Sequence, residues 1–290
     1  DINIIYKILE NINFSDASFE YITFSQFNEP LMDSRVFEIY KYCRKHNIPS
    51  LAITNALLFR SSEVRKNFIL SMPHKVKISL QCLDPLKFNE QRGVSIDPEK
   101  YFNDIYKYLS ELGETNTQVT IDIACNFSNR FKNMIRGVLG ISKGEPSVEL
   151  NPGNLRVNLI KFIKNLNKFD NTFEFNLEKI IKLIDYSTID YMNNPSLMLK
   201  PNVGISLKPF IYGRRISDYK PYYGPTKCEN RILGVLADGT VAPCCLSYDK
   251  NLSLGNVNLD NIEDILSRNK DWLDDLRSFT ELKEDVCKKC

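Results

Sequence analysis

Apolar residues recur along the first half of the chain in two alternating rhythms. From Ile2 to Ile12 they fall every three or four residues, the period of a helix with one buried face. Tyr21-Ile22-Thr23-Phe24 is instead an unbroken β-branched and aromatic run, which predicts a strand. Helical spacing returns from Asp33 to Lys45, with Val36, Tyr40 and Cys43 on one face. Leu51–Thr54 and Val76–Leu80 read as further strands, separated by a helix over Ser61–Leu70. The next helix is the best marked. Asp97 suits its cap, Pro98 its first position, Phe102, Ile105, Leu109 and Leu112 its buried stripe, and Gly113 its end. Val119–Ile123 follows as a fourth strand. Strands alternating with helices of this length pair in parallel through right-handed crossovers, so the pattern predicts an α/β domain.

The rhythm then breaks. Gly137, Gly140, Gly144 and the Asn151-Pro152-Gly153 turn interrupt residues 126–202, where only Leu155–Leu166 and Phe175–Ile184 look helical. This stretch reads as an insertion or lid carrying one further strand, before a last barrel strand at Val203–Leu207. Beyond Cys228 the elements shorten. Arg231–Leu236 and Thr240–Pro243 flank Asp238-Gly239, a hairpin signal. Asp260 with Glu263 has the form of a capping box for a helix bearing Ile262, Ile265 and Leu266.

Composition narrows the class. The 290 residues suffice for one large core plus a small appended domain. A net charge of +2, with both signs interleaved, gives no reason to expect a nucleic-acid or membrane-surface partner. No apolar run reaches the roughly 20 residues that span a bilayer, and no leader is visible, so a cytoplasmic location is expected. The two histidines, His46 and His74, show no ligand spacing and are expected to be structural.

Of the eight cysteines, Cys43, Cys82 and Cys125 are scattered singly, whereas Cys228, Cys244, Cys245, Cys287 and Cys290 crowd the last quarter. A secreted disulfide scaffold is normally shorter and denser in cysteine. A cluster on a long chain suits a reducing compartment and a metal. The Asp238-Gly239 turn folds Cys244 back towards Cys228, and Cys287-x-x-Cys290 lets two sulfurs face one centre. Cys245, the neighbour of Cys244 on a strand, points the other way and is a spare. Four thiolates close a zinc site or ligate a four-iron cluster equally well, so spacing alone leaves both open. Cys82 and Cys125, at predicted strand ends, are weak candidates for catalytic hydrogen-atom donors, although such thiols more often belong to a core.

The run Cys228-x10-Gly239-x4-Cys244, followed by Leu254-Gly255-Asn256-Val257, a short helix and Cys287-x-x-Cys290, resembles the auxiliary-cluster domains of radical S-adenosylmethionine enzymes, SPASM and its one-cluster version, twitch. The resemblance implies an auxiliary [4Fe-4S] cluster held by Cys228, Cys244, Cys287 and Cys290. It also implies a fold: a partial (β/α)6 barrel over residues 1–215, with the insertion at 126–202, and a small α+β SPASM/twitch domain over 216–290.

The first half carries further likenesses to the same family. Asn28-Glu29-Pro30 stands where the family has Gly-Gly-Glu-Pro, which holds the methionine ammonium of S-adenosylmethionine; here Phe27-Asn28 replaces the glycines. Thr54-Asn55-Ala56 matches Thr-Asn-Gly, and Ile78-Ser79-Leu80 followed by Arg92-Gly93 matches segments that bind the cofactor's carboxylate or ribose. Asn28, Glu29, Pro30, Asn55, Ser79 and Arg92 are thereby implied as cofactor-binding residues, and their common place at strand C-termini is where barrel enzymes put their chemistry. The family's Cys-x-x-x-Cys-x-x-Cys loop, which holds a second, catalytic [4Fe-4S] cluster, has no counterpart in the chain and is expected upstream of Asp1, a start without Met. The implied chemistry is a 5′-deoxyadenosyl radical that abstracts hydrogen from a ribosomal peptide or protein, with a one-electron reductant such as flavodoxin or ferredoxin. A twitch-type dehydrogenase of a small molecule such as an aminosugar, and a non-catalytic zinc-binding scaffold, are the alternatives.

Overall fold

The computed structural model describes residues 2–12, 20–24, 28–113, 115–125, 152–189, 196–209, 225–226, 228, 232–244, 252–278, 280–281 and 285–288. The chain divides into two units, Tyr21–Ile211 and Asp1–Glu20 with Tyr212–Cys290.

The larger unit is built on a six-stranded sheet ordered β1-β2-β3-β4-β6-β5. Its strands are β1 (Ile22–Thr23), β2 (Ser50–Thr54), β3 (Lys75–Gln81), β4 (Gln118–Cys125), β5 (Ser196–Lys200) and β6 (Val203–Pro209). All neighbours pair in parallel except β5, which runs antiparallel on the edge beside β6. The α/β architecture read from the hydrophobic rhythm is therefore present, and the strand expected within 126–202 is β5. The sheet does not close into a barrel among the described strands.

Alternate residues of β3 and β4 are buried, so one face carries Val76, Ile78, Leu80, Val119, Ile121 and Ile123 into the core. Register places Val203, Ile205 and Leu207 of β6 on that same face. Helices α2 (Arg35–Lys45), α3 (Ser62–Ser71), α4 (Pro85–Arg92) and α5 (Pro98–Glu111), with helices Pro152–Phe169 and Leu177–Ile189, complete the unit. Aromatic rings fill the space between helices: Phe59 stacks on Tyr108 at 4.3 Å, and Phe68 packs on Tyr108 at 5.8 Å.

Local chemistry sets the helix ends. Asp97 Oδ1 accepts from the N–H groups of Glu99 and Lys100 at 3.0 and 3.2 Å, a cap worth about 1 kcal/mol. Helix α4, which the hydrophobic rhythm did not reveal, has the same design: Asp84 caps it, Pro85 opens it, and Gly93 closes it in the left-handed conformation.

The smaller unit contains helix α1 (Ile2–Asn11), the short strands β8 (Gly234–Val235), β9 (Thr240–Ala242) and β10 (Gly255–Asn256), a two-stranded pair of β7 (Pro225–Thr226) with β11 (Thr280–Glu281), and helices Ile262–Arg268, Lys270–Arg277 and Asp285–Lys288. Its core is Val241, Val257, Ile262 and Ile265, with Ile8 and Ile12 from the α1 segment packed against it. One expectation is corrected here. Asn261, not Asp260, occupies the cap of helix Ile262–Arg268 and makes no side-chain cap bond. Asp260 instead pairs with Arg268 at 2.5 Å, so the capping box does not form. No helix among the described residues is long and apolar enough to cross a membrane.

Candidate functional site

In the larger unit, a set of polar bonds ties the ends of β1 and β2 together. Glu29, just past β1, accepts at Oε1 from the Thr54 hydroxyl at 2.6 Å and at Oε2 from the Asn55 N–H at 2.7 Å. It also caps the single turn Pro30–Met32 by accepting from the Leu31 N–H at 3.4 Å. The Asn55 carbonyl accepts in turn from the Tyr101 hydroxyl of α5 at 2.6 Å, and its side-chain oxygen from the Leu57 N–H at 2.9 Å. Charge-assisted bonds of this kind are the stronger ones, so the two strand-end loops are held in one geometry.

Ala56 stands where the Thr-Asn-Gly motif it resembles has glycine. Its φ of 59° lies in the left-handed region and it is 1% exposed, so the turn keeps a glycine-like backbone at a cost of about 1–2 kcal/mol.

The sequence-derived cofactor residues fall around this network unequally. Glu29, Pro30 and Asn55 belong to it directly, with Pro30 buried at the start of its turn and Asn28 exposed just before it. Ser79 is half-buried on β3, at the strand's C-terminal half. Arg92 closes α4, and its side chain lies outside the described residues. Cys82 and Cys125 are both in the hydrophobic core cluster. Cys82 exchanges weak bonds with the backbone of Asp84, and burial pushes the Cys125 thiol up to about 12. His74 bonds Ser50 Oγ at 3.1 Å, and His46 stacks on Tyr42, so both histidines serve structure.

Sequence reasoning missed one pair. Register aligns Ser79 with Asp122, and Asp122 with Ser206, in a polar row on the face opposite the core. Further along, Lys208 lies level with Ala124 and reaches diagonally to Asp122 Oδ2 at 2.5 Å. Burial raises the Asp122 carboxyl above the ordinary carboxylate range, opposed by Lys208 and Lys77. Lone Asp and Lys residues in separate strands give no local signal, which is why the pair was not legible.

In the smaller unit the cysteine-bearing hairpin is defined by its glycine. Gly239 has φ 86°, and a Cβ there would lie 2.3 Å from Asn258 Nδ2 and 2.6 Å from Asn256 Oδ1. Those two amides donate to the Asp238 carbonyl at 2.9 and 3.0 Å, so the Gly-Asn-Val-Asn segment clamps the turn. Gly255 of that segment approaches Ile265, where a Cβ would meet a side-chain carbon at 3.1 Å. The β8–β9 register pairs Gly234 with Ala242, and Cys244 follows two residues past that pair. Cys228 is tied by its N–H to the Leu276 carbonyl at 3.0 Å.

Cys228 and Cys287 are half-buried and Cys244 is buried; none of the described cysteines forms a disulfide. Among the described residues, no group of three or more His, Cys, Asp or Glu side chains is placed to hold a metal ion in common. Cys245 and Cys290 lie outside the described residues. The donor chemistry fits an iron–sulfur group: Cys228, Cys244 and Cys287 are soft thiols within one unit, with Cys244 just past β9 of the hairpin.

Both units have counterparts among known proteins. Residues 227–290 match SPASM, an iron–sulfur cluster-binding domain. The structure is similar to that of anSMEcpe, solved as a polyhistidine-tagged protein with bound AdoMet, with a TM-score of 0.50 and 16% sequence identity. The match covers 99% of this chain and 73% of that one. No curated protein matches the chain in sequence.

Proposed function

The chain joins a SPASM iron–sulfur domain to the fold of a radical S-adenosylmethionine enzyme, and from that premise we propose that it modifies a ribosomal peptide or protein by hydrogen-atom abstraction. The observation that carries this reading is the SPASM match over residues 227–290, which takes in Cys228 and Cys244 and the hairpin clamped at Gly239. When bound, S-adenosylmethionine on a reduced four-iron cluster supplies a 5′-deoxyadenosyl radical.

This chain's residues bind and orient. Asn28, Pro30, Asn55 and Ser79 line the strand ends that receive the cofactor, with Arg92 beyond them. Glu29 holds the β1 and β2 loops together through Thr54 and Asn55. Cys228, Cys244, Cys287 and Cys290 are the proposed ligands of the auxiliary cluster. A flavodoxin- or ferredoxin-type protein is the proposed electron donor, and the cytoplasm the proposed location. The chain contains no Cys-x-x-x-Cys-x-x-Cys, so the reading assigns it no ligands for a catalytic cluster.

Anaerobic reconstitution tests the proposal. The expected product is a brown protein with several iron and sulfide ions per chain, and release of 5′-deoxyadenosine from S-adenosylmethionine under strong reductant is expected of protein that also carries the upstream Cys-x-x-x-Cys-x-x-Cys loop. A colourless protein holding about one zinc per chain, the outcome for a four-thiolate structural site, overturns it.

A further inference from the structure

The face of the sheet opposite the core has a simple charge inventory. Among its described residues, register places Lys75 and Lys77 of β3, Asp122 of β4 and Lys208 of β6 on it, an excess of cations. Lys75 lies over the Tyr21 ring at 4.2 Å, near the strand's start. Lys208 lies at the other end, where parallel strands finish and ligands bind.

Asp122 and Lys208 divide the work between them. The Asp122 side chain is 13% exposed, and its Oδ1 is buried without a hydrogen-bond partner among the described residues. Oδ2 is given to Lys208, whose side chain is 33% exposed. A lysine ammonium has three N–H donors. One is turned to Asp122, and no other partner of Lys208 occurs among the described residues. A buried carboxylate thus fixes the direction of a partly exposed cation. The ammonium belongs to the next residue on this face beyond the Ser79–Asp122–Ser206 row.

We propose that Lys208 is a specificity-determining residue that receives a carboxylate of the substrate, and that Asp122 is the positioning residue that aims it. The inference deepens the enzymatic reading and rests on it, because that reading places the substrate at this end of the sheet. A carboxylate is the occupant that the cation excess favours. Lysine meets it as a point charge rather than through a bidentate fork, so the contact selects charge more than shape. The substrate class is therefore an acidic peptide segment, with an Asp or Glu side chain or a C-terminus beside the atom that loses hydrogen.

Lysine footprinting on the reconstituted full chain tests this directly. Reductive methylation is followed at Lys208 by peptide mass spectrometry, with the exposed Lys182 as internal reference. The probes are N-acetyl-glutamate amide, its neutral isostere N-acetyl-glutamine amide, and inorganic phosphate. Expected is a slowing at Lys208 of about threefold or more with the glutamate probe, the scale of a single partly exposed ion pair. The glutamine probe is expected to leave it unchanged, and phosphate to slow it less than the glutamate probe does. In D122N the glutamate-to-glutamine ratio is expected to fall towards one while Lys182 is unaffected; a merely structural role for Asp122 would leave that ratio alone. Equal effects of the two amides, no effect of either, or protection by phosphate matching that by glutamate each overturn the proposal. Iron content of the unsubstituted chain, and release of 5′-deoxyadenosine by protein that also carries the upstream cysteine loop, report on the enzymatic reading separately.

Discussion

The two units hold themselves together by different means. The larger has a core that runs from Leu31 to Leu207 through sheet and helices, with whole strands contributing every second side chain. Among the described residues the smaller has a core cluster of Val241, Val257, Ile262 and Ile265, and strands of two or three residues. Apolar burial at about 25 cal/mol per Å² stabilises the first unit without help. The smaller unit's described strands are too short to contribute whole faces in this way, and its described cysteines form no disulfide. If the proposed cluster ligands are right, the contrast predicts that metal binding by these thiols contributes to the folding of the smaller unit, as it does in other small domains.

The largest effect is expected from the proposed cluster ligands. Cys244→Ser in the reconstituted protein should lower the smaller unit's stability by several kcal/mol, on the scale of structural metal sites. Limited proteolysis should then cut within 212–290 while leaving fragments of the larger unit intact. If both units are lost together, the contrast is wrong. In the larger unit, Glu29→Ala leaves the Thr54 hydroxyl and the Asn55 N–H without their acceptor. A loss of about 1.5–3 kcal/mol is expected in denaturant titration, together with weaker binding of S-adenosylmethionine. Gly239→Ala forces a left-handed alanine against two asparagine amides. About 1–2 kcal/mol should be lost from the smaller unit, with iron retained less well. The smallest effect has the opposite sign. Ala56→Gly relieves a left-handed alanine and should stabilise the larger unit by about 0.5–1 kcal/mol in the same titration, the gain being trimmed by glycine's extra backbone entropy. A thiol-labelling experiment sharpens the same contrast at mildly alkaline pH in metal-depleted protein. Cys43 and Cys125, both pushed up to about 12 by burial, should label far more slowly than Cys228 and Cys287.

What the sequence revealed follows the reach of the interactions. Helix α5 was legible because Asp97, Pro98 and Gly113 state its ends within a few residues. Helix α4 carries the same punctuation in Asp84, Pro85 and Gly93, but its apolar face is brief: Phe88 is buried while Leu86 is 94% exposed. Helix Lys270–Arg277 was hidden because it begins directly after another helix and buries only Leu273 and Leu276. The cysteine hairpin was legible down to its glycine, because turn chemistry is local. Glu29 was picked out by family likeness, yet its bonds to Thr54 and Asn55 join segments that only the sheet brings together. The Asp122–Lys208 pair lies across the long insertion, and nothing near either residue announces the other.

The backward-running edge strand β5 has a consequence for what the larger unit can accommodate. A closed eight-stranded parallel barrel fills its middle with layers of its own side chains. Among the described strands, the parallel run ends on that side at β6, with the reversed β5 as the edge. Among the described strands the interior is therefore not sealed by a closed ring of backbone hydrogen bonds, and one rim of the sheet stays a free edge.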